Sequence, residues 1–286
     1  MTSTIDTGRP RSTWLVTGCS AGLGRSLAAR ALAGGDRVAA SARDPASLHE
    51  LCAAYPSSAR AIALDVTDAG GIERALAEVT SAFGPIDVLV NNAGYAYFAP
   101  AEEGRDTEIR AMFEVNFFGL TALTRAVVAS MRERRRGTIV NITSIAGLAA
   151  SAGAAYYAAS KFAVEGFTEA LSLEVGPLGV RVIAVEMGQF RTRFVSSSVS
   201  EPDAWHPDYA PTVGVRRAAV RNRKGREPGD PDRAAEAIIA AVRSAAPPAR
   251  MILGAEAIAS ARRKVAALSA QVDATETIGR ACDFPD

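Results

Sequence analysis

Short apolar runs alternate with longer helical patterns along most of this chain, and the alternation constrains the fold more than any other feature. Strands separated by helices predict βαβ units and a parallel sheet. The strand runs are almost entirely apolar, as expected when helices cover both faces of the sheet. The sequence therefore predicts an α/β fold with a doubly wound parallel sheet of about seven strands. The predicted strands cover 14–16, 37–41, 61–64, 86–90, 137–142, 180–185 and 251–253, and the predicted helices between them cover 23–33, 68–82, 107–134 and 155–175.

The pattern changes after Met187. The stretch 188–230 has no clean periodicity and contains four prolines. A loop of this length in a compact domain is usually functional, so we predict a substrate lid inserted after the sixth strand. A C-terminal helix ending near 272 and a tail are predicted within 255–286. No repeat or low-complexity linker divides the chain, and we predict one domain over 1–286.

Charge and composition exclude several classes of protein. A formal net charge of +1 provides no global field for nucleic acid or an anionic membrane, and we expect neither as a partner. Two histidines cannot form a His-rich metal site, and no metal is expected.

Three widely spaced cysteines, Cys19, Cys52 and Cys282, indicate reduced thiols in a reducing compartment. The polar N-terminus lacks the apolar segment of a signal peptide, and no apolar run reaches the roughly 20 residues of a membrane span. We expect a soluble cytoplasmic protein.

The first strand runs into a glycine-rich turn that contains Gly18, Ser20, Gly22, Leu23 and Gly24. Glycines let the backbone turn tightly and approach a pyrophosphate. The helix that follows presents free N–H groups and the positive end of its dipole to that anion. Such a pattern is also consistent with a plain turn, but its place between the first strand and the first helix favours a dinucleotide site in a Rossmann-like fold.

The end of the second strand indicates which dinucleotide is bound. Sites specific for NAD usually carry an acidic residue there for the ribose hydroxyls. No acid occupies 40–42, and Arg43 follows. An arginine can form a forked, charge-assisted contact with a 2′-phosphate, which favours NADP(H). The alternative is a surface arginine paired with Asp44.

Two further strand ends carry candidate cofactor contacts. Asp65 and Val66 close the third strand, where an acid can accept a hydrogen bond from adenine; a helix N-terminal acid is the alternative, a role that Asp68 suits better. Asn91, Asn92, Ala93 and Gly94 close the fourth strand, and ligands bind outside the carboxyl ends of strands in such sheets. These residues are also consistent with a plain turn.

Tyr157 and Lys161 are four residues apart, which places them on one face of a helix. A nearby ammonium lowers the pKa of a phenol, which can then exchange a proton with a developing alkoxide. Ser144 ends the fifth strand, and its hydroxyl can bind the same substrate oxygen or cap a turn. Asn116 lies among apolar residues of a predicted helix. Either its amide is kept in the interior because it serves the site, or it is a buried amide whose hydrogen bonds are satisfied by neighbouring carbonyls.

Together these motifs resemble the short-chain dehydrogenase/reductase family, in its compact, non-extended branch. The match covers 12–195, which would be the cofactor-binding and catalytic core. The resemblance implies that Tyr157 is the acid/base and that Lys161 binds the nicotinamide ribose and lowers the pKa of Tyr157. It further implies that Ser144 positions the substrate carbonyl, that Asn116 holds a proton-relay water, and that Asp65 and Asn91 line the adenosine side.

The resemblance extends beyond the core motifs with one departure. Arg43 matches the position that selects NADP in the family, and Thr192 matches a threonine that contacts the carboxamide. Met187 stands where the family usually has proline, and the loss of proline is expected to loosen the backbone beside the nicotinamide. The long helices 107–134 and 155–175 often form the core of a dimer or tetramer in the family, so a homodimer or homotetramer is expected.

The predicted lid contains the residues expected to select the substrate. Phe190, Phe194, Trp205 and Tyr209 either line an apolar pocket or pack the lid onto the body. The basic run either forms a solvated helix face or meets an acidic substrate, a carrier protein or a CoA phosphate; it comprises Arg216, Arg217, Arg221, Arg223, Lys224 and Arg226.

The sequence favours an NADP(H)-dependent ketoreductase or alcohol dehydrogenase. Similarity to hydroxysteroid and retinol dehydrogenase-like members implies a bulky or hydrophobic carbonyl or alcohol substrate. The alternatives are an NADP(H)-binding regulatory protein without turnover, and an epimerase or dehydratase of the extended type, against which the glycine spacing speaks.

Overall fold

The computed structural model describes residues 10–194 and 198–284. Its centre is a parallel sheet with the strand order β3-β2-β1-β4-β6-β7-β9, and two short strands, β5 and β8, pair beside it. The strands are β1 (Thr13–Val16), β2 (Arg37–Ala42), β3 (Ala59–Ala63), β4 (Val88–Asn91), β5 (Ala96–Tyr97), β6 (Gly137–Ser144), β7 (Val180–Met187), β8 (Val199–Ser200) and β9 (Arg250–Leu253).

Helices cover both faces of the sheet. Side chains of α1 and α8 fill the core on one face, and those of α3, α5 and α6 fill the core on the other. The helices are α1 (Gly22–Ala33), α2 (His49–Ala54), α3 (Ala69–Phe83), α4 (Asp106–Phe113), α5 (Leu120–Glu133), α6 (Ala155–Val175), α7 (Val215–Arg223), α8 (Pro231–Arg243) and α9 (Ala255–Arg280).

The predicted doubly wound parallel sheet of seven strands is confirmed. The chain leaves β1 toward β2 and β3, then returns to add β4 on the other side of β1. This reversal of strand order opens a crevice at the carboxyl ends of β1 and β4, where such sheets bind ligands.

Some elements differ from the sequence prediction. The pair β5–β8 and the helices α2 and α7 were not predicted, and α9 continues to Arg280 rather than ending near 272. Each strand of the β5–β8 pair has only two residues, too few for an alternating pattern to register. No residue of α7 is buried, and five of its nine residues are Arg or Asn, so the helix does not stand out from the polar segment around it.

One long helical stretch of the described chain, Asp106–Glu133, is apolar and long enough to cross a membrane by these two criteria alone. Charged residues interrupt this stretch, so it is not a continuous apolar run. Core helices of globular proteins meet the same criteria, and Leu123, Val127 and Met131 of this stretch are buried against the sheet. Packing in the core therefore accounts for its apolar character.

Candidate active site

A hydrogen-bonded clamp joins the carboxyl ends of β1 and β4. The Thr17 hydroxyl accepts from the backbone N–H groups of Asn92 and Ala93, both at 2.9 Å. The Asn92 side-chain amide donates to the carbonyls of Thr17 and Gly18, at 2.8 and 3.2 Å. The clamp holds the glycine turn against the loop after β4. The donor groups of the Asn92 amide are thereby used within the protein, so this residue shapes the predicted cofactor site.

The glycine turn has the shape that close approach of a phosphate requires. A Cβ atom at Gly24 would lie 2.5 Å from both Asn92 Nδ2 and the Gly18 carbonyl oxygen, so no side chain fits there. Gly18 has a φ of 71°, in the left-handed region. Helix α1 begins at Gly22 with no side-chain cap and no acidic residue in its first turn. Its first N–H groups therefore remain available for an anion, and the turn fits a dinucleotide pyrophosphate.

Thr192 lies opposite this turn. A Cβ atom at Gly22 would come within 3.2 Å of the Thr192 Cβ. An open cleft of about 540 Å³ lies between the start of α1 and the segment after β7, and Arg25, Thr192 and Arg193 line it. The structure thus brings together the predicted pyrophosphate turn and the threonine predicted to contact the carboxamide.

Arg43 follows directly after β2 and is exposed. The Cys19 N–H donates to the Ser41 carbonyl at 2.8 Å, which holds the end of β2 beside the glycine turn. Asp44 accepts instead from the Ala46 N–H at 2.9 Å and caps a short 3₁₀ turn. The alternative pairing of Arg43 with Asp44 is not seen in the described part of the chain, and the guanidinium is available to a ligand.

Tyr157 and Ser144 meet where α6 passes the end of β6. The Tyr157 side chain is buried, and burial raises the pKa of its phenol. A hydrogen bond with Ser144 and the charge of Arg216 both lower that pKa. The phenol and the hydroxyl are thus placed to act on one substrate oxygen.

Lys161 lies one turn further along α6 and is almost fully buried. Its ammonium donates to the Ile142 carbonyl at 3.1 Å. Burial lowers the pKa of Lys161 to about 8, and the nearby charge of Glu165 opposes this shift. The charge of Arg216 also lowers the pKa of Tyr157, and the effect of Lys161 on the phenol stays a prediction.

Two buried carboxylates lie behind Lys161. Glu165 accepts a hydrogen bond from the Thr143 hydroxyl, and burial raises its pKa. Burial likewise raises the pKa of Glu186. Arg250 of β9 lies 3.3 Å from a Glu165 oxygen and 2.5 Å from a Glu186 oxygen. This ion-pair network ties the last strand to the inner face of the site.

Asn116 lies in a π turn, Glu114–Gly119, between α4 and α5. Its side chain accepts from the Tyr95 N–H at 3.0 Å and donates to the Tyr95 carbonyl at 2.8 Å. It also donates to the Ser160 hydroxyl at 3.2 Å. The amide is therefore occupied in positioning the loop after β4 against α6, and any relay water at this position would have to be held by the main chain.

Comparison with known proteins identifies the family. Residues 12–203 match the sequence profile described as short chain dehydrogenase. The chain belongs to the short-chain dehydrogenase/reductase family. A 3-ketodihydrosphingosine reductase from Bacteroides thetaiotaomicron is 34% identical over 241 residues, which are 84% of this chain and 87% of the relative. The crystal structure of a short-chain dehydrogenase from Streptomyces avermitilis has a TM-score of 0.91 at 40% identity, and the match covers 96% of this chain and 99% of that one.

Similar solved structures contain nicotinamide cofactors of both kinds. A serine dehydrogenase complexed with NADP⁺ has a TM-score of 0.73 at 28% identity, covering 84% of this chain and 94% of that one. Other neighbours of the same fold were solved with NADH or NAD. This short-chain dehydrogenase thus belongs to an oxidoreductase family in which members use NAD or NADP.

The residues predicted on the adenosine side of the dehydrogenase have different surroundings. Asp65 is exposed, and one of its oxygens accepts from the N–H and hydroxyl of Thr67, at 2.9 and 2.7 Å. Asn91 instead points into the interior, where its amide donates to Thr124 at 2.9 Å and to Asn141 at 2.8 Å. The Asn91 side chain is therefore used in a buried hydrogen-bond network, and the predicted place of Asn91 on the adenosine side stays a prediction.

The expected loosening at Met187 is not observed. Met187 continues β7 and pairs in register with Leu253 of β9. The Gly188 N–H donates to the Leu253 carbonyl at 2.9 Å. Strand pairing therefore holds the backbone of the dehydrogenase at the point where the family usually relies on proline.

The described part of the predicted lid places Phe194 and Arg216 near Tyr157. The Phe194 ring centre lies 6.4 Å from that of Tyr157, whereas Trp205 stacks under Arg217 and packs within the lid. The Arg216 guanidinium lies over the Phe98 ring, which in turn packs against Tyr157. In the sequence, Arg216 is one member of a basic run, and its spacing from the other arginines does not indicate that it reaches the site.

We expect Lys161→Met to stabilise the protein, because it removes a buried charge. The pKa of Lys161 is depressed from 10.5 to about 8, so the cost of burial is fully present below pH 8 and disappears as the pH rises toward 10.5. The free energy of unfolding should rise by about 1–3 kcal/mol at pH 7 and by progressively less above pH 8. Urea titrations across this range test the trend. Lys224→Met, which removes an exposed charge, is the control; an equal gain in both variants would contradict the burial argument.

Proposed function

We propose that this protein is an NADP(H)-dependent ketoreductase or alcohol dehydrogenase. One observation carries the proposal: a buried phenol hydrogen-bonded to Ser144 lies on the same helix as a buried lysine, beside a glycine turn that fits a pyrophosphate. A regulatory protein that only binds the cofactor has no need of a proton donor in that position.

The reaction follows from the chemistry of these side chains. When bound, the nicotinamide supplies a hydride to a carbonyl carbon or accepts one from a secondary alcohol. The Tyr157 hydroxyl donates its proton to the substrate oxygen as negative charge develops there, and takes it back in the opposite direction. The Ser144 hydroxyl donates a hydrogen bond to the same oxygen and orients it. The amide of Asn116 holds the loop after β4 in place by both bonds to Tyr95.

Arg43 supports the choice of NADP(H). Arg43 comes directly after the strand whose end contacts the adenosine ribose in such folds. Its side chain is exposed, and Asp44 does not pair with it. The strand end carries no acid to bind the ribose hydroxyls. A guanidinium binds a 2′-phosphate through a forked, charge-assisted contact.

The lining of the site supports a bulky or hydrophobic substrate. Phe98 and Phe194 both lie near the Tyr157 ring, with ring centres 5.7 and 6.4 Å from it. Two aromatic walls suit an apolar carbonyl compound. The relative named as a 3-ketodihydrosphingosine reductase is consistent with such a substrate.

We expect Tyr157→Phe to lower kcat with a ketone substrate by about a thousandfold, because it removes the proton donor and keeps the ring. Binding of NADPH, followed by its fluorescence, should not change. Tyr156→Phe removes a hydroxyl bonded to the Ala101 carbonyl at the neighbouring position and should retain most of the activity. If the wild-type protein binds NADPH but oxidises it with no ketone, the protein is a cofactor-binding regulator instead.

Arg43→Asp is expected to lower the ratio of kcat/KM for NADPH over NADH by about a hundredfold, as the phosphate loses its partner and faces a carboxylate. Steady-state kinetics with both cofactors measure the ratio. Arg263→Asp makes the same charge change at an exposed position of α9 and should leave the ratio as it is. An unchanged ratio in Arg43→Asp would remove this residue from the site.

We further propose a homodimer or homotetramer in the reducing cytoplasm. Exposed apolar side chains include Phe162 and Leu173 of α6 and Phe118 of the π turn before α5. Cys19, Cys52 and Cys282 form no disulfide. Light scattering should give a mass of at least twice 29.8 kDa, and Phe162→Glu should lower it. A monomeric mass for the wild-type protein at micromolar concentration would contradict the proposal.

A further inference from the structure

Arg216 connects the lid to the reacting phenol. It lies in the first turn of α7, and its guanidinium carbon is 4.2 Å from the centre of the Phe98 ring. The Phe98 ring packs edge-on against Tyr157, with ring centres 5.7 Å apart. The guanidinium is therefore at most about 10 Å from the centre of the Tyr157 ring. A substrate that reaches the phenol also reaches this cation.

Three other arginines of the basic run have carboxylate partners. Glu201 binds Arg217 at 2.9 Å and Arg221 at 2.5 Å. Arg223 pairs with Glu256 at 2.6 Å. Across 10–194 and 198–284, by contrast, no acceptor hydrogen-bonds the Arg216 side chain, which rests on the Phe98 ring. Arg216 thus has no ion pair or side-chain hydrogen bond among the described residues, and Glu201 acts on it only through its charge.

Partial burial of Arg216 raises the free-energy cost of leaving its charge without an ion-pair partner. Arg216 is partly buried, and desolvation lowers the pKa of its guanidinium. A desolvated charge is normally compensated by an opposite charge with hydrogen bonds. The guanidinium carbon lies over the Phe98 ring, and its N–H donors have no hydrogen-bond acceptor among the described residues. Those donors match the two oxygens of a carboxylate.

We propose that Arg216 binds a carboxylate of the substrate, so that the substrate is an oxo acid, or the corresponding hydroxy acid, with its acid group a few bonds from the reacting carbon. The inference rests on the proposed ketoreductase function and specifies its substrate. Glu201 nearby disfavours a dianionic phosphate, whereas a carboxylate carries the single charge that Arg216 balances. Phe98 and Phe194 would contact the carbon skeleton between the carbonyl and the acid.

A matched pair of ketones tests this assignment. Benzoylpropionate carries a carboxylate near an aryl ketone, and its methyl ester has the same skeleton without the charge. With NADPH, the wild-type protein should show a kcat/KM at least about tenfold higher for the acid than for the ester. Arg216→Gln should lower this acid-to-ester ratio by about 30-fold, and Arg216→Lys by less, because lysine keeps the charge without the fork.

Lys224→Gln is the matched control, since it removes one positive charge from an exposed position of the same lid. It should leave the acid-to-ester ratio within twofold of the wild-type value. Thermal unfolding of Arg216→Gln near the wild-type Tm, with an unchanged Kd for NADPH, would show that the lid and the cofactor site are intact.

Three results would overturn the proposal. The first is a wild-type protein that reduces acid and ester equally well. The second is an Arg216→Gln variant that loses both activities to the same extent with the same shift of the pH profile, since Arg216 would then act on Tyr157. The third is a weakened Kd for NADPH, which would assign the guanidinium to the cofactor.

Binding without turnover separates this inference from the proposed reaction. Affinity of the NADP⁺-bound protein for benzoylpropionate can be measured by calorimetry. Arg216-dependent binding without reduction of any ketone would reject the ketoreductase function and retain the carboxylate site. Reduction of neutral ketones, with no Arg216-dependent preference for the acid, would retain the function and reject the site.

Discussion

The clamp between Thr17 and the loop after β4 is the interaction on which the rest of the site depends. Because β1 and β4 are neighbours whose connections leave in opposite directions, no crossover fills the space above their carboxyl ends. Backbone groups exposed there need partners. The Thr17 hydroxyl and the Asn92 amide provide them, and in doing so they bring the glycine turn against 93–94. Gly24 has to lack a side chain because the Asn92 amide occupies that space.

Lys161 and the carboxylates behind it are buried, and burying these charged groups lowers the stability of the fold. Burial disfavours the ammonium of Lys161 and the carboxylates of Glu165 and Glu186. Arg250 from the last strand compensates the two carboxylates. Polar side chains inside the fold are linked in the same manner: Asn91 bonds Asn141, and Asn141 bonds Thr168 of α6. Such networks fix the relative positions of β4, β6 and α6, which is what a proton donor at Tyr157 requires.

Periodicity predicted the sheet and most of the helices because burial on two faces leaves a strong apolar pattern in strands and amphipathic helices. The helix α6 begins and ends as the 155–175 pattern predicts. The lid elements left no such pattern. Every residue of α7 keeps some contact with solvent, and β8 pairs with β5 over two residues only. Their positions come from contacts distant in sequence, such as those of Arg217 with Glu201 and Trp205.

The candidate site, like the fold, has parts that the sequence predicts and parts that it does not. The spacing of Tyr157 and Lys161 and the order of the glycines were readable from the chain, because a helix face and a strand-to-helix turn are local geometries. The direction of the Asn91 side chain was not, since a strand end can turn its side chain to either face.

By itself, the sequence determined the parallel α/β architecture, the glycine turn and the Tyr157–Lys161 helix, since each depends on residues close together in the chain. Only the tertiary structure decided that Met187 pairs with Leu253, that Asn116 holds Tyr95, and that Arg216 lies over the Phe98 ring near the phenol. These contacts join segments far apart in sequence, and their energies depend on burial and distance, which no local pattern of residues encodes.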